Sequence, residues 1–121
     1  MYAVAKAILA DPSDPTQMAL MLCNQTDDDI LMRTEMDALE AAHPTRFKVH
    51  YIIEKCADEE AWAKHPRQSL GRIGLETMQS FLPPAAEDTL AFMCGPPPML
   101  NYGCIPNLKA MGFSEQNYFS F

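Results

Sequence analysis

Basic residues are scarce in this sequence. Nine Lys and Arg stand against sixteen Asp and Glu, a formal net charge of −7. Nucleic-acid backbones and anionic membrane surfaces recruit Lys and Arg, so the balance argues against both. Long apolar runs are lacking too. The longest, Met18–Cys23, falls far short of the about 20 residues a membrane-spanning helix needs. Met1–Ala10 is too short and too weakly basic for a secretory leader. Cys23, Cys56, Cys94 and Cys104 contain no CxxC pair, and His43, His50 and His65 stand at no metal-ligand spacing from them. That disfavours a zinc site. Four cysteines permit two disulfides in a secreted chain, but without a secretory segment free thiols in a reducing compartment are expected.

There is no internal repeat, low-complexity tract or linker. The 121 residues, 48% of them hydrophobic, fit one domain and exclude a disordered tail. Ten prolines cut the chain into short periodic pieces. Met1, Val4, Ala5 and Ile8 recur at helical spacing, so the chain opens in an amphipathic helix. Asp11-Pro12-Ser13-Asp14-Pro15 ends it. Met18–Cys23 reads as a strand buried on both faces, as in a parallel sheet. A polar loop, residues 24–29, follows. Thr34 and Asp37 then read as a capping box opening a helix that runs to about Ala42, with Met36, Leu39 and Ala42 as its apolar stripe.

Phe47–Ile53 predicts the second strand, with Phe47, Val49, Tyr51 and Ile53 on one face. Residues 54–69 show no period and read as a long loop, punctuated by Gly71-Arg72-Ile73-Gly74. A short helix is expected over Leu75–Leu82, stopped by Pro83-Pro84. Thr89–Cys94 reads as the third strand. The last helix is expected over Met99–Met111, kinked at Pro106 and ended by Gly112 in a left-handed position. Asn117–Phe121 reads as a short final strand. Strands alternating with helices predict an α/β fold with a parallel sheet and right-handed crossovers.

In open parallel sheets ligands bind beyond the carboxyl ends of the strands. Two such ends carry distinctive residues. One is Cys23-Asn24-Gln25-Thr26 leading to Asp29; the other is Cys94-Gly95-Pro96-Pro97-Pro98-Met99. In the second, Gly95 has no Cβ and lets a flat ring approach the backbone, the prolines stiffen the loop, and Cys94 is small and soft. Taken singly, each also has a plainer reading. Gly-Pro-Pro-Pro is commonly a rigid turn, a strand-end cysteine a buried small hydrophobe, and Asp27-Asp28-Asp29 a solvated loop.

Together these residues resemble the nicotinamide-binding module of the NADH-cytochrome b5 reductases, which recurs in assimilatory nitrate reductases and the wider ferredoxin-NADP⁺ reductase superfamily. The resemblance rests on Cys94-Gly95-Pro96-Pro97-Pro98-Met99, on residues 24–31 with Arg33 and Glu35, on Gly71-Arg72-Ile73, and on the ending Phe119-Ser120-Phe121. It runs over the whole chain. It implies a Rossmann-like parallel sheet with flanking helices, the C-terminal NAD-binding domain of that superfamily.

The resemblance also implies roles. NADH delivers electrons through FAD to a haem protein such as cytochrome b5, or to the haem domain of a nitrate reductase. Cys94 matches the cysteine beside the nicotinamide and orients the ring. Gly95, Pro96, Pro97 and Met99 match the loop carrying the nicotinamide and pyrophosphate end. Asn24, Gln25 and Thr26 match the loop near the adenosine half. Asp29 matches the position tied to NADH preference, where a carboxylate accepts from a ribose 2′-OH and repels a 2′-phosphate. Phe121 matches the aromatic C-terminus.

Family members carry a flavin-binding barrel before this module, and none of its motifs occurs here. Met1 falls on the methionine of the family's Gly-Gly-x-Gly-x-Thr-Pro-Met turn, so the glycine loop and first strand are expected to be missing. The expectation is an incomplete NAD-binding domain over residues 1–121 that lacks the FAD-binding domain, is inactive alone, and folds poorly or exposes sheet edges. A truncated gene product fits it. The resemblance places the complete enzyme on the cytoplasmic side, held at the endoplasmic reticulum or outer mitochondrial membrane through an N-terminal region outside this sequence. The alternatives are a non-catalytic nucleotide-binding module and a non-functional fragment.

Overall fold

The computed structural model describes residues 1–121. The chain divides into two compact units, Met1–Gly71 and Arg72–Phe121. Every paired strand runs parallel to its neighbour.

The first unit opens with α1 (Tyr2–Ala10), which buries Ala5 and Leu9, one helical turn apart. Its C-terminal carbonyls are met by a cation. The Arg46 guanidinium donates to Ile8 O at 3.1 Å and Asp11 O at 3.3 Å, where the helix dipole favours positive charge. Asp11 stops the helix by accepting from the Ser13 hydroxyl and amide at 2.6 and 2.9 Å, bonds that lower its carboxyl below the usual range.

Strand β1 (Met18–Asn24) pairs with β2 (Phe47–Ile53) from Met18↔Phe47 to Asn24↔Ile53. Strand β3 (Gln68–Leu70) lies on the far side of β2, giving the order β1-β2-β3. The centre of the sheet is therefore β2. Its Phe47, Val49, Tyr51 and Ile53 are each 1% exposed or less, as their spacing predicts, and His50 and Ile52 bury on the opposite face. The expectation that Met18–Cys23 is buried on both faces is corrected. All seven residues of β1 are only partly buried, because β1 is an edge strand with one neighbour.

The capping box expected at Thr34 and Asp37 is not formed. Helix α2 (Arg33–Ala42) begins at Arg33, after Met32 in a left-handed conformation (φ 57°), and the Asp37 carboxylate turns instead to Tyr51. Residues 54–69 are not one continuous loop either. They hold α3 (Glu59–Lys64) and the start of β3. Asp58 caps α3 by accepting from Ala61 N at 2.9 Å, and Trp62 is its buried residue. Six residues with one apolar anchor are too few to display a period.

The core of this unit gathers Ala5, Leu9, Ile30, Met36, Trp62 and the inward face of β2. A polar network lies beside it. Tyr51 Oη donates to Asp37 Oδ1 at 2.9 Å, Arg67 pairs with Glu40, and Arg67 Nη1 lies 3.8 Å from Asp37 Oδ1. The Arg33 guanidinium sits 5.2 and 5.3 Å from the ring centroids of Tyr51 and Trp62.

The second unit contains α4 (Leu75–Phe81), β4 (Ala91–Met93), a π-helical stretch over Met99–Cys104, α5 (Ile105–Ala110) and β5 (Tyr118–Ser120). Met78, Cys104, Leu108 and Phe113 are buried in it. Strands β4 and β5 form a two-stranded sheet, Ala91↔Tyr118 to Met93↔Ser120. The expected continuous helix over Met99–Met111 is thus divided. Pro106 has no amide to donate, and its ring crowds the carbonyl four residues before it. The chain answers with a wide turn in which Ile105 N donates to Leu100 O, and Asn107 Nδ2 caps Gly103 O at 2.6 Å. Gly112 takes the expected left-handed conformation, φ +95°.

Candidate functional site

Two strand tips carry the residues singled out from the sequence, one in each unit. In the first unit, residues 24–29 leave β1 at its carboxyl end. Asp29 folds this loop into a 3-10 turn over Asp27–Asp29. Its Oδ2 accepts from Thr26 N at 3.0 Å and from Thr26 Oγ1 at 2.8 Å. Asn24 Nδ2 closes the loop from the other side by donating to Asp29 O at 3.0 Å. Asn24, Thr26 and Asp29 therefore form one hydrogen-bonded constellation, with Gln25 exposed on it. The capping box that the sequence suggested at Thr34 is found here instead.

The next loop locks onto this one. Glu54 N donates to Gln25 O at 3.1 Å and Lys55 N donates to the same oxygen at 3.0 Å. The tips of β1 and β2 thereby make a continuous ledge. Sequence reasoning passed over Glu54 and Lys55. The available signal was position alone: both follow directly on a strand at its carboxyl end, where ligands gather in parallel sheets.

In the second unit, β4 delivers Cys94 and Gly95 at its carboxyl end. Cys94 is exposed, which corrects the plainer reading of it as a buried small hydrophobe. The buried thiol belongs to Cys104, whose pKa burial raises. Pro96 O accepts from Met99 N at 3.0 Å and Leu100 N at 3.2 Å, starting the helix at the prolines. Prolines suit that first turn because their missing amides would have no helical partner there. Phe121 N donates to Met93 O at 2.9 Å, which sets Phe121 beside Cys94 at the same sheet tip. Phe92 stacks with Phe119 at 5.8 Å and tilts toward Phe121 at 5.9 Å, leaving an exposed aromatic face. The structure thus brings Cys94, Gly95, Pro96, Pro97, Met99 and Phe121 to one end of one sheet.

A flat ring would need open backbone here, and Gly95 supplies it. A Cβ at Gly95 would meet only the Met99 side chain, with Met99 Cε in collision and Sδ at 3.4 Å. The cradle is real, and a flexible side chain lies in it. Seating a flat ring against Gly95 requires the Met99 side chain to move aside. Acidic residues dominate the other tip, where Asp27, Asp28 and Asp29 are all exposed. This is a concentration of negative charge at the carboxyl end of β1.

Parallel strands alternating with helices define a Rossmann-like α/β fold. Residues 1–104 match the family described as oxidoreductase NAD-binding domain, and the chain belongs to that family. NADH-cytochrome b5 reductase 3 of Rattus norvegicus is 40% identical over 121 residues, which are 100% of this chain and 38% of the relative. The NADH nitrate reductase of Ulva prolifera is 43% identical over 115 residues, 95% of this chain and 13% of that protein. The crystal structure of the cytochrome b5 reductase domain of Ulva prolifera nitrate reductase superposes with a TM-score of 0.90 at 40% identity, covering 100% of this chain and 43% of the other. The chain therefore spans well under half the length of these relatives. No helix in it is long and apolar enough to cross a membrane.

Proposed function

We propose that this chain is the NADH-binding part of a flavin-dependent reductase that passes electrons from NADH through FAD to a haem protein such as cytochrome b5. The observation that carries the reading is the β4 tip, where exposed Cys94 and side-chain-free Gly95 stand at the carboxyl end of a parallel strand. The similarity to NADH-named enzymes over 95–100% of the chain supports it. When bound, the dihydronicotinamide supplies a hydride, and the flavin divides the electron pair for a one-electron acceptor.

In this reading Cys94 orients the nicotinamide, and Gly95, Pro96, Pro97 and Met99 form the loop around it. Asn24, Gln25 and Thr26 shape the ledge for the adenosine half, with Asp29 disfavouring a 2′-phosphate. Phe121 borders the ring's position. FAD belongs to a domain outside these residues. A nitrate-reductase-type haem domain is the alternative acceptor, and attachment at the cytoplasmic face of the endoplasmic reticulum or outer mitochondrial membrane would use a segment outside them as well.

Two titrations test the reading. The purified chain should bind NADH saturably and more tightly than NADPH; equal affinity, or none, rejects it. Placed behind an FAD-loaded barrel domain, the chain should then support NADH-dependent reduction of cytochrome b5. Binding without electron transfer in that chimaera would favour a non-catalytic nucleotide-binding module.

A further inference from the structure

Gly95 is not glycine because of its backbone. Only Gly71 and Gly112 hold positive φ among the glycines, at +102° and +95°. Nor is it a packing glycine of the ordinary kind. At Gly103 a Cβ would stand 2.7 Å from Ile73 Cγ2, a stiff β-branched neighbour, and would have to move it. At Gly95 the opposing atoms are Cε and Sδ of Met99, the free end of an unbranched side chain. Such an end gives way cheaply, because methionine has three rotatable bonds and soft, undirected contacts. Met99 is only partly buried and stands at the start of the π-helical stretch, with solvent available to receive it. The space over Gly95 is thus kept clear of fixed atoms and filled by a movable one.

We propose that Met99 is a self-occluding positioning residue: its thioether and the nicotinamide ring alternate in the space over Gly95, so the side chain must swing out before the ring can seat against the backbone. The inference rests on the nucleotide reading of this tip and adds a direction to it. A residue that lines a site strengthens binding, whereas one that occupies the site weakens it. Affinity is reduced by the fraction of molecules in which the space is open. If open rotamers make up about a tenth of the population, removing the side chain tightens binding by roughly tenfold.

The substitutions make opposite predictions. Met99→Ala clears the cradle and is expected to tighten NADH binding between about two- and tenfold. Gly95→Ala evicts the Met99 methyl at little cost to the fold, but its own Cβ now stands where the ring belongs. It should weaken NADH binding in both the wild-type and the Met99→Ala backgrounds.

The test labels the nine methionines with carbon-13 at their methyl groups and titrates the purified chain with NADH. Met99→Ala assigns the Met99 resonance, which is expected to shift in step with saturation. If NADH binds while that resonance stays fixed, or if Met99→Ala binds NADH no tighter than wild type, the proposal is overturned and the nucleotide reading survives. If neither the folded wild-type chain nor Met99→Ala binds NADH saturably, both are overturned together.

Discussion

One carboxylate oxygen of Asp29 holds both the amide and the hydroxyl of Thr26, at 3.0 and 2.8 Å. The residue that the family resemblance ties to cofactor preference is therefore also the residue that closes its own loop. Two effects are superimposed at one side chain: the shape of the ledge at the β1 tip, and the negative charge displayed there.

Substitution separates them. Asp29→Ala removes both and should cost about 1 kcal/mol of stability, the usual cost of losing a capping side chain. It should also raise the affinity for NADPH relative to NADH. Asp29→Asn keeps an oxygen that can accept from Thr26 but removes the charge. Its thermal melt should return most of the way to wild type, while its NADPH to NADH ratio stays raised. If Asp29→Asn behaved like wild type toward both nucleotides, charge would play no part in the preference.

His50 gives the first unit an acid-sensitive point within its central strand. It is 6% exposed on β2, with Nε2 2.7 Å from Ser69 Oγ, and burial lowers its pKa from the usual 6.5. Above pH 6.5 the ring is neutral in both folded and unfolded chains and adds no pH dependence. As pH falls through 6.5 the unfolded chain takes up the proton first, so stability declines. The decline stops growing once pH passes below the lowered folded value. Urea melts at pH 7.5 and 5.5 should show this loss, and His50→Gln should diminish it. An unchanged pH slope in His50→Gln would place the acid sensitivity elsewhere.

The parts legible in the sequence were those with long apolar patterns. Phe47–Ile53 announces a strand because Phe47, Val49, Tyr51 and Ile53 make one apolar face, and α1, α2 and α4 fall close to their expected spans. Burial of β1 was misjudged because an apolar run reports what a strand can bury, whereas its place in the sheet decides what it does bury. Two short elements show no period of their own: α3 and β3 hold six and three residues. Asp37 was misassigned because a carboxylate near a helix start suits a capping box equally well, and only the fold brings Tyr51 to it. The two loops are recognisable as motifs in the sequence, and the structure places each at the carboxyl end of a strand. The filling of Gly95's space by Met99, and the ledge made by Glu54 and Lys55, depend on geometry that no spacing rule encodes.

The Tyr51–Asp37 bond offers a direct measure of the polar network beside the core. Burial first, and then the bond and charge of Asp37, hold the Tyr51 phenol well above its ordinary pKa, so it remains a donor throughout the accessible range. Tyr51→Phe should destabilise the first unit by about 1 kcal/mol, the net worth of one such bond. Arg67→Met should cost more, about 2 kcal/mol, because it strips the partner from Glu40, which is 7% exposed. Chemical denaturation of the two single variants and the double variant would check this. A Tyr51→Phe cost that equals or exceeds that of Arg67→Met would mean that the ion pair is not the stronger tie.

Cys94 stands exposed at the end of β4, beside Phe121 and ahead of the rigid prolines. Its removal should leave the fold untouched, because it buries little and breaks no bond of the sheet. What it should disturb is ring placement, to which hydride transfer is steeply sensitive: a misplacement near 1 Å can cost about a hundredfold in rate. In a chimaera carrying an FAD-bound domain, Cys94→Ala should therefore slow flavin reduction by NADH about ten- to a hundredfold in stopped flow. NADH affinity and the melting temperature should change little. Cys94→Ser, close in size, should recover part of the rate, as expected of a side chain that positions and does not itself carry electrons. Flavin reduction at the wild-type rate in Cys94→Ala would remove Cys94 from the site and leave the loop backbone as the part that holds the ring.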